Sequence, residues 1–340
     1  MEFKVVYANS SKIGIDSEAI LDLGVVYIEK PANTEEEVIS LAHDADVLIV
    51  RGEPCTRKVI ENLKSCKLIV TPKVGYENID VVAATEMGIC VANTGGMSAM
   101  EVSEHAMALL LTCARKIIGL DKMIRSGEWH VFHGPEMRQM WQGISRLHGQ
   151  TLGIIGFGPV SRLLALKAKA FGLNILIYDP HISRIIMDVM GVRPVELTQL
   201  LKESDYVSIN VPLTQETYHM LGLSEFKLMK PTAYLINTAR GAVVNEEELN
   251  QALTRGYIAG AALDVLENEP ISMDNPLLKL ENVIFTGHSA HYSDEAWLEQ
   301  NQQPAVEISR IMSGKYPWKW VNPEVEKKYA ARWVSNKPSL

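Results

Sequence analysis

The stretch from Thr151 to Pro180, TLGIIGFGPVSRLLALKAKAFGLNILIYDP, decides the reading of the whole chain. Its opening apolar run, Leu152 to Ile155, is too short for a helix and rich in isoleucine, so it reads as a buried strand. Gly156-Phe157-Gly158 comes immediately after it. From Pro159 to Phe171 the apolar residues fall at helical spacing, and Gly172 marks the stop. A second apolar run, Ile175 to Tyr178, ends in Asp179. Strand, glycine turn, helix, strand and acid succeed one another in that order. Glycines let a backbone approach a pyrophosphate, whose charge then sits on the helix N-terminus. Asp179 lies 23 positions after Gly156, where a carboxylate accepts from the adenosine ribose hydroxyls. The third glycine of the usual G-x-G-x-x-G pattern is replaced by Ser161, which adds a hydroxymethyl group where helix and strand pack. An ordinary turn of another α/β protein is the bland alternative. The flanking strands and the terminal acid favour a dinucleotide site.

Outward from this stretch the alternation continues. Residues 151 to 290 carry apolar runs at 152–155, 175–178, 206–211, 233–237, 258–263 and 283–286, six strands in all, the count of a complete dinucleotide-binding sheet. Residues 1 to 95 alternate likewise, with strands expected at Phe3 to Ala8, Val25 to Glu29, Val47 to Val50, Leu68 to Thr71 and Cys90 to Ala92. Thr34 reads as an N-cap with Glu35 to Glu37 in the first helical turn. Between the halves, Ser98 to Arg125 is expected to form one long helix, with Val102, His105, Ala106, Leu109, Leu110, Cys113 and Ile117 at helical spacing. The segment 127–150, with Trp129 and Trp141, has little periodicity, and a loop of that length is usually functional or an interface. A helix is expected from Asp294 to Met312, and after it a tail whose Trp318, Trp320 and Trp333 suggest docking on a surface.

A chain of 340 residues favours two domains over one. Its 47% hydrophobic and 22% charged content are those of a soluble globular protein. The formal charge of −8 argues against a nucleic-acid surface, although a local basic pocket still admits an anionic substrate. No apolar stretch is long enough to span a membrane. The opening MEFKVVYANS reads directly as strand, without the layout of a signal peptide. Cys55, Cys66, Cys90 and Cys113 lack metal-ligand spacing and read as reduced thiols, so the expectation is a cytoplasmic protein with no metal.

In an open α/β sheet the ligand sits beyond the carboxyl ends of the strands. The residues just past each strand of the second half are therefore informative. Pro212-Leu213-Thr214 comes after the third, with Thr217 close by; Thr238-Ala239-Arg240-Gly241 comes after the fourth. Asp264 and then Glu267-Asn268-Glu269-Pro270 lie past the fifth, and Gly287-His288-Ser289-Ala290-His291 past the sixth. Each has a bland reading: a surface ion pair for Arg240, a solvated charge for Glu269, a strand cap for His288. Together, an arginine, an acid and a histidine on the edge that carries the glycine turn suit an anionic substrate that exchanges a proton.

The segments GFGPVS, YDPH, NVPLTQET, NTARGAVVNEEEL, GAALDVLENEP and GHSAHYS resemble those of the D-isomer-specific 2-hydroxyacid dehydrogenases, and VGYENID and NTGGMSAMEVSEHAMALLL resemble that family's substrate-domain loop and crossing helix. The resemblance covers about residues 45 to 315. It implies an α/β chain of two doubly wound parallel-sheet domains: a flavodoxin-like substrate domain, 1–98 completed by 292–340, and a Rossmann NAD-binding domain, 99–291, with a dimerisation helix and loop. It implies that His288 is the acid/base, that Glu269 holds the imidazole and favours its charged form, and that Arg240 binds the substrate carboxylate and polarises the carbonyl. The backbone amides of Val74 and Gly75 would take the other side of the carboxylate. Asp264 would face the nicotinamide amide. Gly156, Gly158, Pro159, Val160, Asp179, Val211, Pro212, Thr217, Thr238, Ala239, Arg240, Asp264, His288 and Ala290 would line the cofactor. Asp179 favours NAD over NADP, since a 2′-phosphate would set about two negative charges against its carboxylate.

Several positions depart from the family pattern. Lys73 stands where a small residue is common, beside the carboxylate-binding turn, and Arg51 ends a first-domain strand. Both are candidates for the variable end of the substrate, with a solvent-facing lysine as the bland alternative for Lys73. Gly287 replaces the proline that usually precedes the histidine, and His291 adds a second imidazole. The expected partner is a small anionic 2-oxo or 2-hydroxy acid, in a homodimer in which Trp141 is a candidate to reach the neighbouring cleft. The HSAHYS stretch also resembles the family's corepressor branch, so an NAD(H)-sensing binding protein is the alternative to an enzyme.

Overall fold

A computed structural model describes residues 2–127, 138 and 141–334. It divides into two compact units, Met1–Met97 with Ser293–Leu340, and Ser98–Tyr292. Each is built on its own parallel sheet.

In the first unit the strands are β1 (Lys4–Ala8), β2 (Val26–Lys30), β3 (Val47–Val50), β4 (Leu68–Val70) and β5 (Cys90–Ala92), in the order β2-β1-β3-β4-β5. That is the flavodoxin-like order, which reverses direction next to β1. Every residue of β3, β4 and β5 is buried, as a parallel sheet covered on both faces requires. The helix Glu35–Ala42 starts as the sequence indicates. Thr34 Oγ1 accepts from Glu37 N at 3.3 Å, and the Glu37 carboxylate accepts from Thr34 N at 3.1 Å, a reciprocal cap. The helix Asp294–Met312 returns from the end of the chain and packs Ala305, Ile308 and Ile311 into the cluster around Val5, Tyr7 and Val47. Trp320 and Trp333 border the same cluster, and Trp333 Nε1 donates to Gly88 O at 3.0 Å, whereas Trp318 stays exposed.

The second unit holds seven strands: β6 (Thr151–Ile155), β7 (Asn174–Tyr178), β8 (Arg193–Pro194), β9 (Tyr206–Ile209), β10 (Tyr234–Asn237), β11 (Gly260–Leu263) and β12 (Val283–Phe285). Their order, β12-β11-β10-β9-β6-β7-β8, is the 3-2-1-4-5-6 order of a dinucleotide-binding sheet with one further strand. The strand that the sequence does not reveal is β8, a two-residue edge containing a proline, too short for any periodicity.

The single helix expected over Ser98 to Arg125 is two, Ala99–Arg115 and Ile117–Arg125. Lys116 between them takes a left-handed conformation at φ 52°. Apolar periodicity survives a one-residue break, so the pattern does not show it. Trp129 lies outside the described residues, as does most of 128–140; Trp141 is described and 37% exposed. Among the described residues no helix is long and apolar enough to cross a membrane.

Candidate active site

The glycine turn of the second unit is shaped by close approach. Gly156 sits at φ 87°, and a Cβ there would come within 2.7 Å of Asn210 O and 2.8 Å of Val211 Cγ1, so only glycine fits where β6 passes β9. Gly158 caps the helix Pro159–Ala170, and a Cβ on it would meet nothing within 4 Å, so that side of the turn is open. Proline at the first helical position lacks an N–H that would have no partner there anyway. The open side of the turn thus lies at the N-terminus of this helix, a position that suits the pyrophosphate of a dinucleotide.

Asp179 at the end of β7 closes the turn. Its Oδ2 accepts from Phe157 N at 2.7 Å, and its Oδ1 accepts from His181 N at 2.8 Å and Ile182 N at 3.2 Å. A carboxylate accepts about four hydrogen bonds, so one acceptor site remains for a ribose hydroxyl. Thr217 does other work. Its hydroxyl donates to Pro212 O at 2.6 Å and accepts from Thr214 N at 2.8 Å, which holds the loop after β9 in shape. Thr238 is buried with its hydroxyl unpartnered among the described residues.

Beyond β10 the backbone turns through Ala239 and Arg240, held by Asn237, whose amide accepts from Ala239 N and donates to Arg240 O, each at 3.0 Å. Arg240 Nη1 donates to Ala239 O at 2.7 Å. Gly241 lies so close to the loop after β11 that a Cβ would fall 1.9 Å from the Leu266 carbonyl. The arginine turn and the acid-bearing loop are therefore in backbone contact. On that loop Glu269 Oε1 accepts from Leu266 N at 2.9 Å, and Oε2 lies 2.7 Å from His288 Nδ1. A carboxylate only accepts, so Nδ1 carries the proton of that bond and Nε2 is left for a substrate.

His288 occupies a left-handed turn at φ 58°, and Gly287 before it has φ 64°. Proline, fixed near −65°, cannot take that value, which accounts for the glycine at this departure from the family pattern. The turn is held by Asp264. Its carbonyl accepts from His288 N at 2.5 Å, its Oδ1 from Thr286 Oγ1 at 2.6 Å and Ser289 N at 2.9 Å, and its Oδ2 from Ala290 N at 3.0 Å. With its side chain 1% exposed, Asp264 serves first as the anchor of the histidine turn, and the Ala290 amide is engaged by it. His291 meets the His288 ring edge-on, centroids 5.9 Å apart.

In the first unit the Lys73–Gly75 turn comes after β4. Thr94 N donates to Lys73 O at 3.1 Å and Asn93 Nδ2 to Val74 O at 2.6 Å. Arg51, at the end of β3, lays its guanidinium over the Trp297 ring at 5.4 Å and donates from Nη2 to Asn301 Oδ1 at 3.2 Å. Buried Glu53 accepts from the amides of Ser10, Arg51 and Gly52 at 2.8–3.0 Å and so fixes the loop that presents Arg51. The sequence reading missed Glu53, Trp297 and Asn301. The i, i+4 spacing of the last two on one helix was the available signal.

Thiol chemistry has no place in either unit. All four cysteines are buried and unpaired, and burial pushes the Cys66, Cys90 and Cys113 thiols up to about 12. Among the described residues no cluster of histidine, cysteine and acid side chains could hold a metal.

An open glycine turn backed by Asp179, with a paired histidine and carboxylate and an arginine on the same sheet edge, is the arrangement expected of a nicotinamide-dependent oxidoreductase of carboxylate substrates. The family model for "D-isomer specific 2-hydroxyacid dehydrogenase, NAD binding domain" matches residues 107–290. The chain is 40% identical over 295 residues to a glyoxylate reductase of Korarchaeum cryptofilum, covering 86% of this chain and 88% of that one. It is 41% identical over 291 residues to a D-3-phosphoglycerate dehydrogenase of Methanocaldococcus jannaschii, covering 85% of this chain but 54% of that one. Among solved structures, a glyoxylate reductase from Paecilomyes thermophila superimposes with a TM-score of 0.83 at 28% identity, covering 95% of this chain and 99% of that one. The chain belongs to the D-isomer-specific 2-hydroxyacid dehydrogenase family. It is an NAD-dependent oxidoreductase of hydroxy acids.

Proposed function

We propose that this enzyme reduces a small 2-oxo acid to the D-2-hydroxy acid, with His288 as proton donor, Glu269 as its supporting carboxylate and Arg240 as the carboxylate-binding group. The unit 98–292 is assigned to the cofactor, and the unit of residues 1–97 with 293–340 to the substrate. Glyoxylate is the first substrate to test, because relatives covered over most of their length are named glyoxylate reductases. The observation that supports the reading most strongly is the 2.7 Å contact between His288 Nδ1 and Glu269 Oε2, which leaves Nε2 for a substrate oxygen.

NADH, when bound, supplies the hydride. His288 Nε2–H donates to the carbonyl oxygen and, in the oxidation direction, neutral Nε2 takes the hydroxyl proton. Glu269 compensates the imidazolium charge and fixes the ring's rotation. Arg240 offers a planar pair of N–H donors to the carboxylate, a geometry that lysine lacks. In the first unit, the Val74 and Gly75 amides are assigned to a substrate carboxylate, and Arg51 and Lys73 to the substrate's remote end. Asp179 would accept from the adenosine ribose. We further propose a homodimer built on the helices of 99–125, where Met100, Ile117 and Ile118 are exposed, and a cytoplasmic location in keeping with four unpaired thiols.

The test is NADH oxidation against a panel of 2-oxo acids: glyoxylate, hydroxypyruvate, pyruvate and 3-phosphohydroxypyruvate. Turnover of at least one, lost in His288→Ala, is expected. NADH binding with no turnover across the panel would favour the corepressor-like alternative instead.

A further inference from the structure

The crossing helix carries a histidine that substrate chemistry does not use. His105 belongs to the helix Ala99–Arg115, and its spacing with Val102, Ala106 and Leu109 marks it as a packing position. The structure gives it more to do. Its Nε2 lies 2.9 Å from Thr286 Oγ1, at the end of β12, and 3.6 Å from Asp264 Oδ1. The direction of these bonds is set by proton counting. The Thr286 hydroxyl has one hydrogen, and its partner at 2.6 Å, Asp264 Oδ1, can only accept. That hydrogen therefore points to Asp264. Toward His105 the hydroxyl must accept, so Nε2 carries a proton. A donor relay results, from His105 Nε2–H to Thr286 Oγ1–H to Asp264 Oδ1.

Asp264 is the residue that holds the turn of His288, through the amides of His288, Ser289 and Ala290. That turn places two consecutive residues in left-handed conformations, Gly287 and His288, which the backbone adopts only when its surroundings impose it. The anchor is buried, where linked hydrogen bonds strengthen one another and a missing donor is most costly. We infer that His105 is a positioning residue for the reaction: its Nε2–H, acting through Thr286 and Asp264, fixes the turn that aims His288. Only the N–H is required, so glutamine, whose side-chain amide reaches about as far as Nε2, replaces it, and an aliphatic residue does not. This inference rests on the role proposed for His288.

The experiment compares His105→Leu, His105→Gln, Thr286→Val and the double variant His105→Leu/Thr286→Val. Each is assayed with NADH and the 2-oxo acid that the parent turns over fastest, with thermal melting recorded in parallel. Misaiming a proton donor lowers kcat and leaves substrate affinity largely intact. His105→Leu is expected to lose roughly tenfold in kcat with KM changed less than about threefold, and His105→Gln to recover most of the loss. The double variant is expected to be little worse than Thr286→Val alone, since both break one relay. Parental kcat in His105→Leu overturns the inference. So does a loss in which leucine and glutamine fall equally and melt equally early, since that is a packing defect. The two readings separate cleanly: an active His288→Ala refutes the proposed mechanism, whereas an inactive His288→Ala beside a fully active His105→Leu refutes only the role of His105.

Discussion

On the seven-stranded sheet, the turns that carry the residues assigned to chemistry are gripped at their main-chain groups. Asp264 accepts from three main-chain amides of the His288 turn, Asn237 clamps the turn of Arg240, and Gly241 lies against the main chain of the loop that bears Glu269. On the five-stranded sheet, Glu53 grips the Arg51 amide in the same manner, but the guanidinium itself is oriented by two side chains, Trp297 and Asn301, the latter 250 positions further along the chain. A grip on main-chain groups holds whatever side chain the turn itself carries, so long as Asp264 and Asn237 are in place. Side-chain anchoring changes with a single substitution. With the roles proposed above, proton and carboxylate chemistry would stay constant while the group assigned to the rest of the substrate is free to vary.

If the division is real, substitutions on the two edges must fail differently. The largest effect belongs to the backbone-held edge. His288→Ala is expected to lower kcat roughly a hundredfold or more on every substrate while NADH still binds, the usual scale for losing a general acid. Steady-state rates and fluorescence titration of NADH check both halves. The side-chain-held edge is expected to discriminate. Lys73→Met and Arg51→Met should each lose about 1–3 kcal/mol in kcat/KM on a longer anionic substrate such as 3-phosphohydroxypyruvate, the scale of one charged hydrogen bond, and little on glyoxylate. An equal loss on both substrates would move the residue to the common carboxylate and erase the contrast.

The same contrast explains what was legible in the sequence. Most strands are near-continuous apolar runs, so eleven of the twelve among the described residues were visible, and glycines forced by close approach or positive φ, such as Gly156, stand out by residue type alone. Arg240, Glu269 and His288 could be named because each lies just past a strand end, and the sheet order brings those ends to one edge. Their mutual geometry could not be read. The pairing of His288 with Glu269 and the capture of Asp264 by the turn depend on loop conformations for which no periodic signal exists. The support of Arg51 by Trp297 and Asn301 depends on a helix returning from the far end of the chain. The break at Lys116 was hidden for a related reason: one left-handed residue shifts the phase of a helix too little to disturb its apolar pattern.

A smaller effect concerns the cofactor. Asp179 already accepts three amides and retains room for a ribose hydroxyl but not for a phosphate. The kcat/KM ratio of NADH to NADPH is expected to be at least about tenfold, or 1.4 kcal/mol, and Asp179→Ser should narrow it. Parity between the two cofactors in the parent enzyme would show that the acid does not read the ribose.

The smallest effect tests whether the seven-stranded unit tolerates change in side chains where its backbone is fixed. Ser161 stands at the third glycine position of the turn, fully buried, with its hydroxyl unpartnered among the described residues. A buried polar group without a partner costs about 1–3 kcal/mol relative to an apolar one of the same shape. Ser161→Ala removes the hydroxyl and keeps the Cβ that already fits against the sheet. The variant should therefore be more stable, by about 1 kcal/mol, which in a unit of this size raises the melting temperature by about 2–4 °C. NADH affinity should not change if, as proposed, the pyrophosphate is read by main-chain N–H groups, which the substitution leaves in place. A lower melting temperature would mean that the hydroxyl is satisfied in solution. Weaker NADH binding would mean that it faces the cofactor, and that a side chain takes part in cofactor recognition on the edge where backbone otherwise does the holding.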